Sequence, residues 1–181
     1  MEIDYQKFRW FFTSSGLLVI GGKSAESNEE AIKLSKKDSV IMHTEQPGSP
    51  FCVILDENPS EKDMKETAIF CGCLSKAWKH GKKSVEVHMF SGNQVYKSRG
   101  MKTGTFGVEG KTRSFKVELK LYLAFQEGKL RSVPFKTEIA MIIPGKMKKE
   151  DVAEDISKKL KVKKEEALSA LPSDNIDITW Y

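Results

Sequence analysis

The stretch Glu61–Phe90, EKDMKETAIFCGCLSKAWKHGKKSVEVHMF, changes its period partway along, and that change decides the fold class. From Glu61 to Lys79, Met64, Ala68, Cys71, Ser75 and Trp78 recur at spacings of three or four, as on one face of a helix. Small side chains dominate that face, so the helix can lie close against a sheet. Gly81 ends it. From Ser84 to Phe90 the period becomes two: Val85 and Val87 point one way, Glu86 and His88 the other. That is a half-buried strand.

Upstream, the aromatic run Phe8–Phe12 and the apolar run Leu17–Ile20 flank Ser14-Ser15-Gly16, which predicts a hairpin. Asn28 to Ser35 fit a helix, with Ser27 as its cap and Glu30 in the capping-box position. Val40–His43 and Phe51–Leu55 are strands. The loop between them holds Pro47 and Pro50, which forbid helix.

Downstream, Gln94-Val95-Tyr96-Lys97 is short and extended, and residues 100–110 contain four glycines. Ser114 to Phe125 reads as one strand, Leu130–Pro134 as its return, and Ile139–Ile143 as a further apolar segment. Pro144-Gly145 reads as a boundary. Beyond it, Val152, Ile156 and Leu160 mark a helix, 163–171 a second, and Ile176, Ile178 and Trp180 a last strand. The expectation is an α+β fold: a largely antiparallel sheet packed on one long helix over residues 1–143, then a small C-terminal extension over 144–181.

No apolar run approaches the roughly 20 residues of a membrane span, and the acidic Met1-Glu2-Ile3-Asp4 lacks the layout of a signal peptide. A cytoplasmic protein is expected. The three cysteines, Cys52, Cys71 and Cys73, read as reduced, buried thiols. The net charge of +5 is unevenly spread: residues 1–60 carry −3, 61–84 +3, 85–136 +6 and 137–181 −1. A basic block in mid-chain suggests a polyanionic partner.

Gly22-Lys23-Ser24 ends like a Walker loop, but the first glycine of that motif should stand at position 17, which is Leu17. No dinucleotide fingerprint exists, so no cofactor is expected. Cys71 and Cys73 would point about 200° apart on a helix, and no CxxC or HxxxH occurs, so no metal site is expected. No G-x-S-x-G is present. His43 beside the Pro47-Gly48 loop is either a donor to phosphate or base, or a strand-end histidine bonded to backbone.

The strongest constellation is residues 92–116. Lys97, Arg99, Lys102, Lys111, Arg113 and Lys116 are interleaved with glycines, Tyr96, Phe106 and Phe115. Cations release counterions from phosphate, and aromatic rings stack on unpaired bases. Phe106 and Phe115 read as core, and Tyr96 is the better stacking candidate.

Read together, several motifs occur in the order of a known family. Phe8-Arg9-Trp10-Phe11 with Ser15-Gly16 resembles "WF…S-G", and Leu18 to Lys23 with Asn28-Glu29 resembles "LVIGGR…NE". Asp38 through His43 resembles "D-I-Y-V-H", followed by the similar Pro47-Gly48-Ser49 turn. Ser75-Lys76-Ala77-Trp78 resembles "YSAAW", Gln94 to Lys97 "QVSK", and Gly104-Thr105-Phe106 with Gly110-Lys111 "GSF…RGKKN". From about Lys7 to Val117 the chain thus resembles the NFACT-R domain, the RNA-binding module of the ribosome quality-control factors of the NEMF, FbpA, Caliban and Tae2 group. Lys23 replaces an arginine, which keeps the charge and loses the bidentate fork.

The resemblance implies a stand-alone, non-enzymatic RNA-binding module that touches tRNA or the ribosome. Lys97, Arg99, Lys111 and Arg113 are expected to hold phosphate. His43, Asn28 and Tyr96 are expected at base or ribose. Lys23, Asn28, His43, the Pro47-Gly48 loop, Lys97, Arg99 and Lys111 are expected to meet on one face. Two rival readings remain: a protein-interaction module docking through residues 145–181 on the ribosome or a quality-control partner, and an RNA- or nucleotide-processing enzyme using His43.

Overall fold

The structure, a computed structural model, describes residues 2–181. In chain order the elements are β1 (Arg9–Phe12), β2 (Leu18–Gly21), α1 (Ala25–Leu34), β3 (Val40–Thr44), β4 (Cys52–Ile54), α2 (Glu61–Cys73), α3 (Lys76–Lys79), β5 (Ser84–Ser91), β6 (Val95–Tyr96) and β7 (Gly107–Val108). They continue with β8 (Arg113–Glu118), β9 (Leu121–Gln126), β10 (Lys129–Val133), β11 (Ala140–Met147), α4 (Lys149–Leu160), α5 (Lys164–Ala170) and β12 (Ile176–Trp180). The fold is α+β with antiparallel sheets, as expected.

One six-stranded sheet runs β1-β2-β4-β3-β5-β8, a four-stranded sheet runs β10-β9-β11-β12, and β6 and β7 form a separate ribbon. Strand alternation sends Trp10, Ile20, Ile41, Val53 and Phe90 to one face of the large sheet, where Ala31 of α1 covers them. Phe11, Val19, Met42, Ile54 and Val87 go to the other face, under Ala68, Phe70 and Cys71 of α2. Cys52, Cys71 and Cys73 are free and buried, and burial pushes the Cys52 and Cys73 thiols up. The small sheet packs with α4 and α5 around Leu121, Leu123, Ile142, Val152, Ile156 and Ile176.

Four details depart from the sequence reading. First, the cap of α1 is Ser24, not Ser27. Ser27 takes the role usually given to Glu or Gln, its hydroxyl accepting the Lys23 and Ser24 amides at 2.6 and 2.8 Å.

Second, the long helix is two. The Lys76 amide donates to the Gly48 carbonyl at 3.0 Å instead of continuing α2. Ser75 restarts the chain as the cap of α3, which turns Trp78 into the small-sheet core.

Third, residues 114–125 form two strands in different sheets, divided at Leu119-Lys120. Fourth, Pro144 and Gly145 lie inside β11, where the pairing with β12 shifts register. Residues on both sides of them share one core.

Two side-chain joints tie the assembly together. Gln126 brackets β1: its Oε1 accepts the Phe12 amide and its Nε2 donates to the Phe12 carbonyl, both at 2.8 Å. The β1–β2 turn is held to α2, where Asp63 accepts from Ser15 Oγ, from the Ser60 hydroxyl at 2.7 Å and from the Ser60 amide at 2.8 Å. Burial pushes the Asp63 carboxyl up, but the bonds from Ser15, Ser60 and Thr13 outweigh it and bring it to about 2.

Candidate nucleic-acid interface

The ribbon of β6 and β7 pairs Tyr96 with Gly107. The loop between the two strands is pinned by Lys97. Its ammonium donates to the Lys102 and Thr105 carbonyls, both at 2.6 Å, and to Glu29 Oε1 at 2.7 Å. It also lies 4.7 Å from the Phe106 ring centroid. An ammonium has three protons, and all three are taken. The same Glu29 oxygen accepts the Gly104 amide at 2.8 Å. The Lys97 bond, followed by the Gly104 amide, holds the Glu29 carboxyl below its ordinary value. Lys97 is therefore the keystone of the loop, with no donor left for phosphate. On the other side, Gln94 Nε2 clamps the ribbon by donating to the Glu109 and Lys111 carbonyls, both at 2.8 Å.

The remaining cations divide by what holds them. Arg113 forms a two-pronged pair with Glu61 and lies 4.5 Å from the Phe115 centroid. The Glu61 bond raises the guanidinium and lowers the carboxyl. Arg99, Lys102 and Lys111 are exposed, and among the described residues their charged ends meet no ion-pair partner.

Tyr96 is 40% exposed. Its ring occupies the space a Cβ at residue 107 would need, so glycine there lets the ring lie flat on the backbone. Beside it, Lys36 and Lys37 line a hollow of about 330 Å³ with Phe106 and Lys97. Sequence reasoning missed these two lysines because they fall in the net acidic first 60 residues. Their signal was adjacency to the ribbon: the Asn93 amide donates to the Lys37 carbonyl at 2.9 Å.

His43 stands opposite His88 in the sheet, its ring 4.5 Å from that of Phe51. Nδ1 lies 2.7 Å from the Thr44 carbonyl, so Nδ1 carries the proton and Nε2 is left as an acceptor. Burial lowers its pKa against the opposing Thr44 bond, leaving the ring neutral at pH 7. A small hollow of about 180 Å³ beside it is lined by Phe106 and Val108 of the ribbon.

Asn28 is partly spent on structure. Its Oδ1 accepts the Phe51 amide at 3.1 Å and fills the space beside Gly22. It shares a separate cleft with Lys23 and Gly48. Of the residues expected on one face, Lys23, Asn28 and Gly48 line one hollow, Lys97 a second and His43 a third, while Arg99 and Lys111 are exposed on the ribbon side. Helix α1 divides the first two hollows: Asn28 faces the cleft, while Glu29 holds the ribbon. Among the described residues no cluster could hold a metal, and no helix is long and apolar enough to cross a membrane.

Comparison with known proteins identifies the family. The family model described as NFACT protein RNA binding domain matches residues 7–110. The archaeal Rqc2 homolog aRqcH of Methanocaldococcus jannaschii is 28% identical, over 96% of this chain and 29% of the relative. The ribosome quality control complex subunit NEMF homolog of Drosophila melanogaster is 30% identical, over 59% of this chain and 12% of the relative. The chain therefore spans less than a third of the length of these relatives. Among solved structures, the C-terminal part of the fibronectin/fibrinogen-binding protein of Streptococcus suis shares the fold. Its TM-score is 0.57 at 24% identity, over 64% of this chain and 46% of that one. The family match covers more than half of the sequence and includes β1 through β7, the elements that carry the ribbon and its anchor on α1, so this chain belongs to the NFACT RNA-binding domain family.

Proposed function

We propose that the chain is a non-enzymatic RNA-binding module that works in ribosome quality control, gripping tRNA or rRNA through the β6–β7 ribbon. One observation carries this reading. A loop locked by Lys97, Glu29 and Gly104 presents the unpaired cations Arg99 and Lys102 directly after the exposed ring of Tyr96, and Lys111, just past β7, is held to the same ribbon by Gln94. Free cations on a rigid support lose little entropy when they meet phosphate, and an exposed ring lying flat offers a face to an unstacked base. The relatives named as ribosome quality control subunits supply the cellular setting, and RNA is what the family's own description names.

The test is a salt titration of tRNA and rRNA-fragment binding. Affinity should fall steeply with salt. The double variant Arg99→Glu, Lys111→Glu should lower the slope of log affinity against log salt by about 2. Unchanged affinity in that variant would remove the ribbon as the contact. Competition between tRNA and the rRNA fragment identifies the preferred strand.

A further inference from the structure

The seam between the two sheets gathers a second set of cations, and they have a different character. Arg9 comes from β1, Lys23 follows β2, Arg131 lies on β10 and Lys149 opens α4. Among the described residues, none of the four is in an ion pair. Arg131 is only 7% exposed. Its guanidinium stacks 4.3 Å from the Trp10 centroid and its Nε donates to the Trp10 carbonyl at 3.2 Å, while neither Nη group donates to a described protein acceptor. Arg9 donates only to the neutral carbonyls of Leu171, at 3.1 Å, and Ser169, at 3.4 Å. Lys23 lines both of two hollows. One, of about 230 Å³, adjoins Arg9, Ser24 and Asn28; the other, of about 300 Å³, adjoins Arg131, Lys129 and Glu166.

Three of the acids near these cations hold other partners, while Glu165 also lines the second hollow. Glu166 faces Arg131, but its Oε1 accepts the Leu130 amide at 2.8 Å. Asp174 and Glu150 face Lys149. Asp174 Oδ1 accepts the Lys149 amide at 2.9 Å, and Glu150 pairs with Lys164 at 3.1 Å. Burial, then Arg9 and Arg131, depress the Lys23 ammonium. Burial, Arg9 and Lys23 bring Lys149 down to about 8 against the pull of Asp174 and Glu150. Like charges collected in a partly dry seam cost stability unless an anion joins them. Both hollows lie at or below the lower end of the size range of small-molecule pockets.

We propose that this seam is a phosphate-binding cleft in which Lys23, Arg9 and Arg131, supported by the charge of Lys149, take a single phosphate group of RNA. An RNA strand and a free phosphate ester share this chemistry, and the RNA source rests on the function proposed above. Two of the four cations, Arg131 and Lys149, lie beyond the residues matched by the family model, so β10 and α4 complete the cleft.

The experiment uses the full chain and inorganic phosphate, with chloride at equal ionic strength as control. Binding is followed by ³¹P line broadening and thermal melting, and a short single-stranded RNA then competes. Phosphate should bind saturably and raise the melting temperature. Lys23→Gln, at an exposed position, and Lys149→Gln, at a half-buried one, should each weaken phosphate by about tenfold. Each should also melt higher than the parent in chloride, which loss of a merely structural contact would not produce. Displacement of phosphate by RNA assigns the cleft to the strand. Phosphate bound but not displaced keeps the cleft and assigns it to a small phosphate ester. No saturable phosphate effect, or equal binding in parent and both variants, overturns the proposal. RNA binding that survives Lys23→Gln but fails in Arg99→Glu, Lys111→Glu removes the cleft as an RNA site and leaves the ribbon reading intact.

Discussion

Asn28 Oδ1 accepts the Phe51 amide, so Asn28→Ala leaves a half-buried donor unpaired. The expected cost is about 1–3 kcal/mol, read as a lower urea midpoint, and any RNA effect of that variant has to be measured at matched folded fraction. Tyr96 separates the two kinds of role better. Tyr96→Phe keeps the ring over Gly107 and should bind RNA like the parent. Tyr96→Ala should lose about 1–3 kcal/mol of binding with little change in melting. Equal RNA affinity in both variants would retire the stacking role. The residue types of the ribbon were legible in the sequence, but which cations stay free was not. Lys97 and Arg99 look alike in a string of letters. Only the partners Glu29 and Glu61, 68 and 52 residues away from Lys97 and Arg113, show which positive charges are already spent.

The period of α2 was legible because its buried face repeats every three or four residues over three turns. Its break at Leu74 was not, since the amide that leaves the helix is claimed by Gly48, a distant carbonyl. The division between β8 and β9 was hidden for a related reason. Phe115, Val117, Leu119, Leu121 and Leu123 are all buried and keep one parity through the joint, so alternation alone reads a single strand where the chain passes from one core to another. At this scale Asp63 makes a prediction about acid. Its carboxyl sits at about 2 against an ordinary 3.8, so the folded state binds its proton less readily than the unfolded chain. Its stabilising contribution is full above pH 4 and is lost as pH falls from there toward 2. Asp63→Asn should be less stable at neutral pH and should show a flatter loss of melting temperature across that window. A parallel loss in parent and variant would contradict the assignment.

At the scale of the molecule, the second sheet was legible as apolar segments but not as a sheet. Its strands β9, β10, β11 and β12 come from 121–180, and β12 pairs with β11 across two intervening helices. The apparent boundary at Pro144-Gly145 is a bulge in β11. Ala140 and Ile142 before it share a core with Val152, Ala167 and Ile176 after it. A chain ending at residue 143 should therefore expose Trp78, with a red-shifted tryptophan emission and loss of a single cooperative melt. An unshifted spectrum would show that the first part keeps its core without the rest.

The Gln126 bracket carries a consequence for motion. Its amide stands where a neighbouring strand would, so the outer edge of β1 at Phe12 is closed by a side chain that belongs to the other sheet. The Phe12 amide proton is consequently guarded only while the two sheets stay together, and its exchange with deuterated solvent clocks their separation. An anion seated among Arg9, Lys23 and Arg131 would bridge the same two sheets and slow that clock, whereas RNA held only on the ribbon would leave it running at its own pace.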